Sequence, residues 1–241
     1  MRKILKYLFL LFPVILNAQE WAFQYEFGYG SFQLKDIKAI QDKVVSAMSI
    51  YEAKSTEYFP NFFIPSGTVG YISGQHHFGI SVSFLTTGGR VHVGDYSGEY
   101  KTDILLSGYR SGLFYRYYIL NKKQWFNIYL QVTPGVLLSR MKMEEKLVIG
   151  NQKVIEESLK FKSTGAYIEP LIGVCFKPTH WLQFSIGGGY EIETWGNMRL
   201  SGKNNPISYR GEDKIRWNGF RLYAGLILIL PTQHYENSVK K

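Results

Sequence analysis

Strict alternation of two kinds of side chain begins at Trp21 and continues to Gly30. One face of this segment is wholly aromatic: Trp21, Phe23, Tyr25, Phe27 and Tyr29. Because side chains of a strand point alternately to its two faces, the pattern predicts a β-strand whose other face is small or polar. Seven further segments show the same period and are predicted strands: about 66–73, 77–85, 104–119, 125–139, 161–176, 181–194 and 217–230.

The connections between these strands are alternately long and short. Three short ones lie at 74–76, 121–124 and 177–180, and four long ones at about 34–65, 86–103, 140–160 and 195–216. Membrane barrels alternate short periplasmic turns with long external loops in this way. Several predicted strands also reach the roughly 9–11 residues that a tilted strand needs to cross a bilayer.

The polar faces separate a closed barrel from a soluble sandwich, which would show the same alternation. They are rich in glycine and carry charges of both signs, as suits the interior of a small barrel. The predicted interior charge network consists of Glu26, Arg110, Arg116, Glu169, Glu191, Glu193 and Arg221. Because an eight-stranded interior is just wide enough for side chains, we interpret this network as a plug. A proton or ion path is the alternative.

The first long connection contains one helical pattern. Apolar residues at 37, 40, 44, 45 and 48 predict a short amphipathic helix over 36–48. Its apolar face is expected to pack on nearby aromatic residues, namely Tyr51, Tyr58, Phe59, Phe62 and Phe63. A partner-binding helix is the alternative.

The N-terminus has the pattern of a secretory signal peptide. Arg2, Lys3 and Lys6 precede ten apolar or aromatic residues, Tyr7 to Leu16, and a small residue at Ala18. Spanning a bilayer as a helix needs about 20 residues, so cleavage after Ala18 is predicted. The expected organisation is a signal peptide (1–18), a barrel (19–231) that resides in the outer membrane, and a short periplasmic tail (232–241).

The net charge of the chain limits the classes of binding partner that we expect. The formal charge is +9 at pH 7, or +6 after removal of the three cations of the signal segment (9 minus 3). No nucleic-acid motif accompanies this charge, so we expect no nucleic acid. The expected partners are outer-membrane lipid and lipopolysaccharide, with the barrel-assembly machinery during biogenesis, and the protein is expected to be a monomer. The basic 195–216 connection is a candidate for contact with lipid phosphates.

Candidate chemical sites are few. Cys175 is the single cysteine, so no intrachain disulfide can form. His76 and His77 are adjacent and point to opposite faces of a strand, which argues against a metal site. Two clusters combine a histidine with serines: His92 with Asp95 and Ser97, and His77 with Ser81 and Ser83. Neither forms a known motif, so no catalytic residue, metal or cofactor is expected.

The five tryptophans lie near strand ends, at 21, 125, 181, 195 and 217, as in the aromatic girdles of membrane barrels. By parity alone, only Trp21 shares the aromatic face.

Two segments complete a family resemblance: Thr86-Thr87-Gly88-Gly89-Arg90 and, after it, Asp95-Tyr96-Ser97-Gly98-Glu99-Tyr100. Together with the signal peptide and eight alternating strands, these segments resemble the outer-membrane β-barrel families common in Bacteroidota. Those families are similar in architecture to the barrel of OmpA-type proteins, and the resemblance covers nearly all of the mature chain. It implies an outer-membrane barrel, here without a periplasmic peptidoglycan-binding domain, and it names no activity.

The sequence therefore predicts an all-β protein: an eight-stranded antiparallel up-and-down transmembrane β-barrel with a short helix in the first external loop. The expected function is non-enzymatic, with a structural or surface-interaction role through external loops. Three alternatives stay open at this point: a narrow transporter or channel for small or apolar solutes, a lipid-modifying outer-membrane enzyme, and a soluble sandwich or lipocalin-like barrel.

Overall fold

The computed structural model describes residues 20–47, 54–96, 98–120, 124–149, 152–194, 196–201 and 214–231. The predicted signal peptide (1–18) and tail (232–241) lie outside these residues, and both stay predictions. In the described part the elements are β1 (Glu20–Gly30), α1 (Lys35–Ala47), β2 (Lys54–Tyr58), β3 (Phe62–Ser73), β4 (His76–Asp95), β5 (Gly98–Tyr118), β6 (Phe126–Ile149), β7 (Gln152–Phe176), β8 (Leu182–Glu193), β9 (Arg199–Leu200) and β10 (Gly219–Pro231). No helix among them is long and apolar enough to cross a bilayer.

Eight strands close into one antiparallel ring in the order β1, β3, β4, β5, β6, β7, β8 and β10. The closing pair is β1 with β10, in continuous register from Glu20 opposite Pro231 to Gly30 opposite Arg221. The two short strands lie outside the ring, β2 pairing with β4 and β9 with β7. Closure removes the free sheet edges that a hydrocarbon environment does not tolerate.

The aromatic and aliphatic faces of the ring point outward, and the polar faces point inward. On β1, Phe27 is 61% exposed, whereas its neighbour Glu26 is 6% exposed. We call the outward positions of the ring the apolar belt. The length of the belt along a strand ranges from nine residues on β1 (Trp21 to Tyr29) to thirteen residues on β6 (Phe126 to Leu138). No outward position within the belt carries a charged side chain in the described strands. The predicted transmembrane barrel is confirmed, and the sandwich alternative is wrong because the apolar face is not a core.

Four strands continue beyond the belt at the end opposite the short turns. The connections predicted at 86–103 and 140–160 are not loops but paired extensions of β4 with β5 and of β6 with β7. The prediction failed because charged residues replace apolar ones on the outward face there. The inner face keeps its apolar alternation, and Val91, Ile104, Met143 and Phe161 are buried. We call this end the extended end and the other the short-turn end.

Helix α1 is confirmed close to its predicted bounds, and it packs on the inner face of the extension. Ile37, Ile40 and Val44 are fully or almost fully buried. Of the predicted aromatic partners, Phe59 is buried in the same apolar cluster. Tyr58, Phe62 and Phe63 are instead exposed: Phe63 lies on the outward face of β3, whereas Tyr58 is the last residue of β2 and Phe62 the first residue of β3. Tyr51 and Met48 lie outside the described residues.

The tryptophans partly form a girdle. Trp125 and Trp181 are exposed at the short-turn end, although parity predicted inward positions. Each stands just before the first residue of its strand, so strand parity does not apply to it. Trp217 is fully buried at the extended end, and Trp195 lies outside the described residues.

Candidate functional site

The seven predicted interior charges all lie inside the ring, and each is at most 6% exposed. Alternation along β1, β5, β7, β8 and β10 directs them to the lumen. They form two clusters at different heights, plus one separate carboxylate. An upper cluster lies towards the extended end, and a lower cluster lies towards the short-turn end.

Arg110 organises the upper cluster. Its guanidinium donates to Glu191 Oε2 at 2.8 Å through Nη1 and to Glu169 Oε2 through Nη2. Arg221 Nη2 donates to the same Glu191 oxygen at 3.2 Å, and the Tyr223 hydroxyl donates to Glu169 Oε1 at 2.8 Å. Two arginines and two glutamates are therefore balanced in charge, as buried ions require.

Arg116 organises the lower cluster. Its Nε donates to Gln131 Oε1 at 2.8 Å, and its Nη2 lies 3.9 Å from Glu26 Oε1. The Gln24 amide donates to the same Glu26 oxygen. The Arg116 guanidinium also lies 4.2 Å from the centre of the Tyr129 ring, a cation–π distance.

Glu193 stands apart from both clusters and takes part in closing the extended end. Its Oε2 accepts from the backbone N–H of Trp217 at 2.9 Å, and no arginine pairs with it among the described residues. The Trp217 indole donates to Ser139 Oγ at 2.9 Å and meets Phe32 edge to face at 5.1 Å. Trp217 and Phe32 thus cover the upper cluster, with the Arg221 guanidinium 4.9 Å from the Phe32 ring.

Large tyrosine rings fill the remaining lumen because glycines on neighbouring strands leave room for them. A Cβ added at Gly173 would lie 2.4 Å from the Tyr129 ring, and one at Gly135 would lie 2.7 Å from Tyr167. The cavity found at the short-turn end measures about 20 Å³, room for roughly one water molecule. The interior is therefore packed with side chains over much of its height.

The neutral partners of these charges were not predicted from the sequence. Tyr129, Tyr167, Tyr223 and Gln24 complete the two clusters, yet only charged residues were singled out. The available signal was parity: Gln24, Tyr167 and Tyr223 alternate in step with the interior charges of their own strands. Tyr129 alternates in step with the polar residues Asn127 and Gln131 of β6.

The two histidine clusters lie in different surroundings. His92 Nε2 is 3.1 Å from Glu99 Oε1, and both side chains are largely exposed near the tip of the β4–β5 hairpin. Ser97 and the side chain of Asp95 lie outside what the structure describes. His77 is buried against the rings of Phe114 and Tyr118, with centroid distances of 4.8 and 6.4 Å.

His76 and His77 do point to opposite sides, with His76 exposed and 2.8 Å from the Tyr115 hydroxyl. Among the described residues, no three His, Cys, Asp or Glu side chains gather as metal ligands. Of the basic 195–216 connection, only 196–201 and 214–216 are described; Arg199 there is exposed on β9.

Comparisons with known proteins address the fold. No protein-family model matches the sequence, and no curated protein matches it. Among solved structures, the chain is similar to Neisserial surface protein A (12% identity, TM-score 0.38, covering 86% of this chain and 96% of that one). It is also similar to the N-terminal barrel domain of Pseudomonas aeruginosa OprF (9%, 0.40, 88% and 99%) and to the attachment invasion locus protein Ail of Yersinia pestis (10%, 0.37, 88% and 99%). All three are outer-membrane β-barrel proteins, and at these identities the likeness concerns the fold alone.

Proposed function

We propose that this chain is an exported outer-membrane protein that acts without catalysis, through contacts made by its extended end. One observation carries the proposal: the closed ring has an uncharged apolar exterior and a lumen filled with paired charges and aromatic rings. The exterior suits lipid, and the filled lumen suits an anchor better than a pore. What such an anchor presents to the outside is the sheet formed by the extensions of β4 to β7.

Several features follow if the chain resides in the outer membrane. The predicted signal peptide (1–18) directs export, and the barrel-assembly machinery inserts the ring. The protein is expected to be a monomer, since the membrane-spanning part is closed by the β1–β10 pair and offers no open strand edge within the lipid. The short-turn end faces the periplasm and the extended end faces outward.

Fractionation and gel mobility test the membrane placement. The full chain is expected in the outer-membrane fraction, soluble only with detergent, and to migrate faster before boiling than after it. A protein that stays in solution without detergent and shows no heat shift would contradict the proposal.

Conductance in planar bilayers tests the anchor against the transporter alternative. The purified protein is expected to give no current steps above the bare bilayer, with a wide porin as the positive control. The Arg110 cluster, Tyr129 and Tyr167 occupy the cross-section at two heights, which is the physical reason. Reproducible current steps from folded, heat-shifting protein would favour a channel and overturn the anchor.

A further inference from the structure

The outward face of β6 and β7 changes abruptly from apolar to basic just beyond the belt, and β9 adds one more cation beside β7. On β6 the last belt residue is Leu138, and the next two outward residues are cations. On β7 the change follows Thr164 in the same way. We call these five residues the cationic row: Arg140, Lys142, Lys160, Lys162 and Arg199.

The strand register places these cations directly beside one another. Lys162 is paired with Arg140 of β6 on one side and with Arg199 of β9 on the other, and Lys142 is paired with Lys160. Side chains directly opposite in an antiparallel pair lie about 5 Å apart at their Cβ atoms. Like charges at such positions destabilise a sheet, so this register is costly unless an anion compensates it.

The protein itself supplies little of that compensation. Within the described chain, Lys142 alone of the five has a carboxylate within reach, Glu144 at 2.5 Å. The neighbouring strands behave differently: Arg90 and Lys101 converge on Asp103 at 2.5 and 2.8 Å. The extension therefore neutralises its cations internally on β4 and β5 but leaves four of them open on β6, β7 and β9.

We propose that the cationic row binds the phosphate groups of outer-leaflet lipopolysaccharide at its lipid A part. This inference rests on the membrane orientation of the proposed function. The row begins one outward position beyond the belt, about 7 Å along the strand from Leu138, which is the level of the lipid headgroups. Arginine recognises phosphate through paired N–H donors and lysine as a compact charge, so the row offers both kinds of contact.

A titration in detergent micelles tests the inference. Full-length protein, the K160Q/K162Q variant and the K35Q/K54Q control are each titrated with diphosphorylated lipid A. The control removes two exposed lysines of the same extramembrane region, so the change in net charge is the same. Each lost cation is expected to weaken binding about 5-fold, and thus K160Q/K162Q about 25-fold. K35Q/K54Q is expected to bind like the unaltered protein.

Two further probes identify the source of the phosphate. Dephosphorylated lipid A is expected to bind the unaltered protein weakly. Its affinity should be no higher than the affinity of K160Q/K162Q for diphosphorylated lipid A. Inorganic phosphate is expected to compete only weakly. Equal affinity of K160Q/K162Q and the unaltered protein would overturn the inference, and so would inorganic phosphate that displaces lipid A at equal concentration.

Gel mobility, measured on every sample, separates the two levels of the argument. A heat-shifting, detergent-requiring protein that does not bind lipid A overturns the cationic row alone. A protein that is soluble without detergent overturns the membrane placement and the row together.

Discussion

Replacing Arg110 by methionine would test whether the upper cluster stabilises the barrel through charge balance. Methionine keeps much of the length of the side chain and removes its charge. The two glutamates bonded to Arg110 would then share one remaining cation, Arg221, which already bonds Glu191. Among the residues that the structure describes, the Tyr223 hydroxyl would then be the one hydrogen-bond partner left to Glu169.

The size of the effect follows from the burial of these groups. The side chains of Arg110, Glu169 and Glu191 are 3%, 4% and 0% exposed, so solvent cannot replace the lost charge. Removing one partner of a buried ion pair costs about 3–5 kcal/mol. A loss of this size is a large part of the stability of an ordinary domain, which is roughly 5–15 kcal/mol. The folded fraction should therefore fall measurably in moderate denaturant.

A second variant isolates the charge term. In R110M/E169Q, one cation and one anion are removed together, and the Glu191–Arg221 pair remains. We expect this double variant to recover at least about 2 kcal/mol of the loss, because breaking a buried pair costs far more than replacing it. Arg90→Met provides the control, since Arg90 also pairs with a carboxylate, Asp103, but its side chain is 39% exposed whereas that of Arg110 is 3% exposed. Its effect on stability should be much smaller.

The assay is urea unfolding in lipid vesicles, followed by tryptophan fluorescence and by the loss of the fast-migrating band. R110M/E169Q that is as unstable as R110M or less stable would refute a stabilising role of charge balance, because losses that simply add would show that the charges act independently. A change in R110M no larger than in R90M would equally refute it.

Two further predictions concern the extended end. Gly89→Val should release α1 from the barrel, because a Cβ at Gly89 would lie 2.4 Å from Gln41 Oε1 and 2.8 Å from the Phe59 ring. The expected result is faster proteolysis within residues 31–60, while the fast-migrating band of the unheated protein persists. Partial burial raises the pKa of Asp103, but hydrogen bonds from Arg90 and Lys101 outweigh burial and leave that pKa below its ordinary value. The Asp103 contacts therefore stabilise the extension above the ordinary carboxyl range and are lost as pH falls through the lowered pKa. Asp103→Asn should loosen the hairpin at neutral pH and match the unaltered protein once the pH has fallen below the lowered pKa of Asp103, as hydrogen exchange would show.

The ring itself was predictable because one physical rule governs every strand. A closed barrel in lipid needs apolar side chains outside and polar or small ones inside, so the period of two appears on all eight strands. The same rule placed Glu26, Arg110 and Glu191 inside the ring. The rule also placed the Tyr129 side chain inside the barrel, but its role in filling the lumen was not predictable. That role depends on the space left by Gly173, which lies on another strand.

The partners of each interior charge were not predictable, because parity specifies a face and not a height or direction. Arg110 on β5 meets Glu191 on β8, and these strands are three apart in the ring. Only closure and the stagger of the strands bring them together. The extensions of β4 to β7 were missed for a related reason. Outside lipid the outward face tolerates charge, so the outward signal disappears while the inward one, such as Met141 and Met143, continues.

Contacts across the lumen and the unequal strand lengths together explain the shape of the extended end. Backbone hydrogen bonds hold only neighbouring strands, whereas Arg110 joins β5 to β7 and β8, which resists flattening of the ring. The strands differ in length: β6 and β7 have 24 and 25 residues, whereas β1 and β8 have 11 and 12. One side of the barrel is therefore a tall wall. On the inner side of the extended end, α1 packs against β4, where the Gln41 amide donates to the Arg90 carbonyl oxygen at 3.2 Å. In the proposed membrane orientation, the outer face of the wall leaves the lipid at the cationic row. A contact with lipid headgroups along that row would support the wall where the ring no longer does.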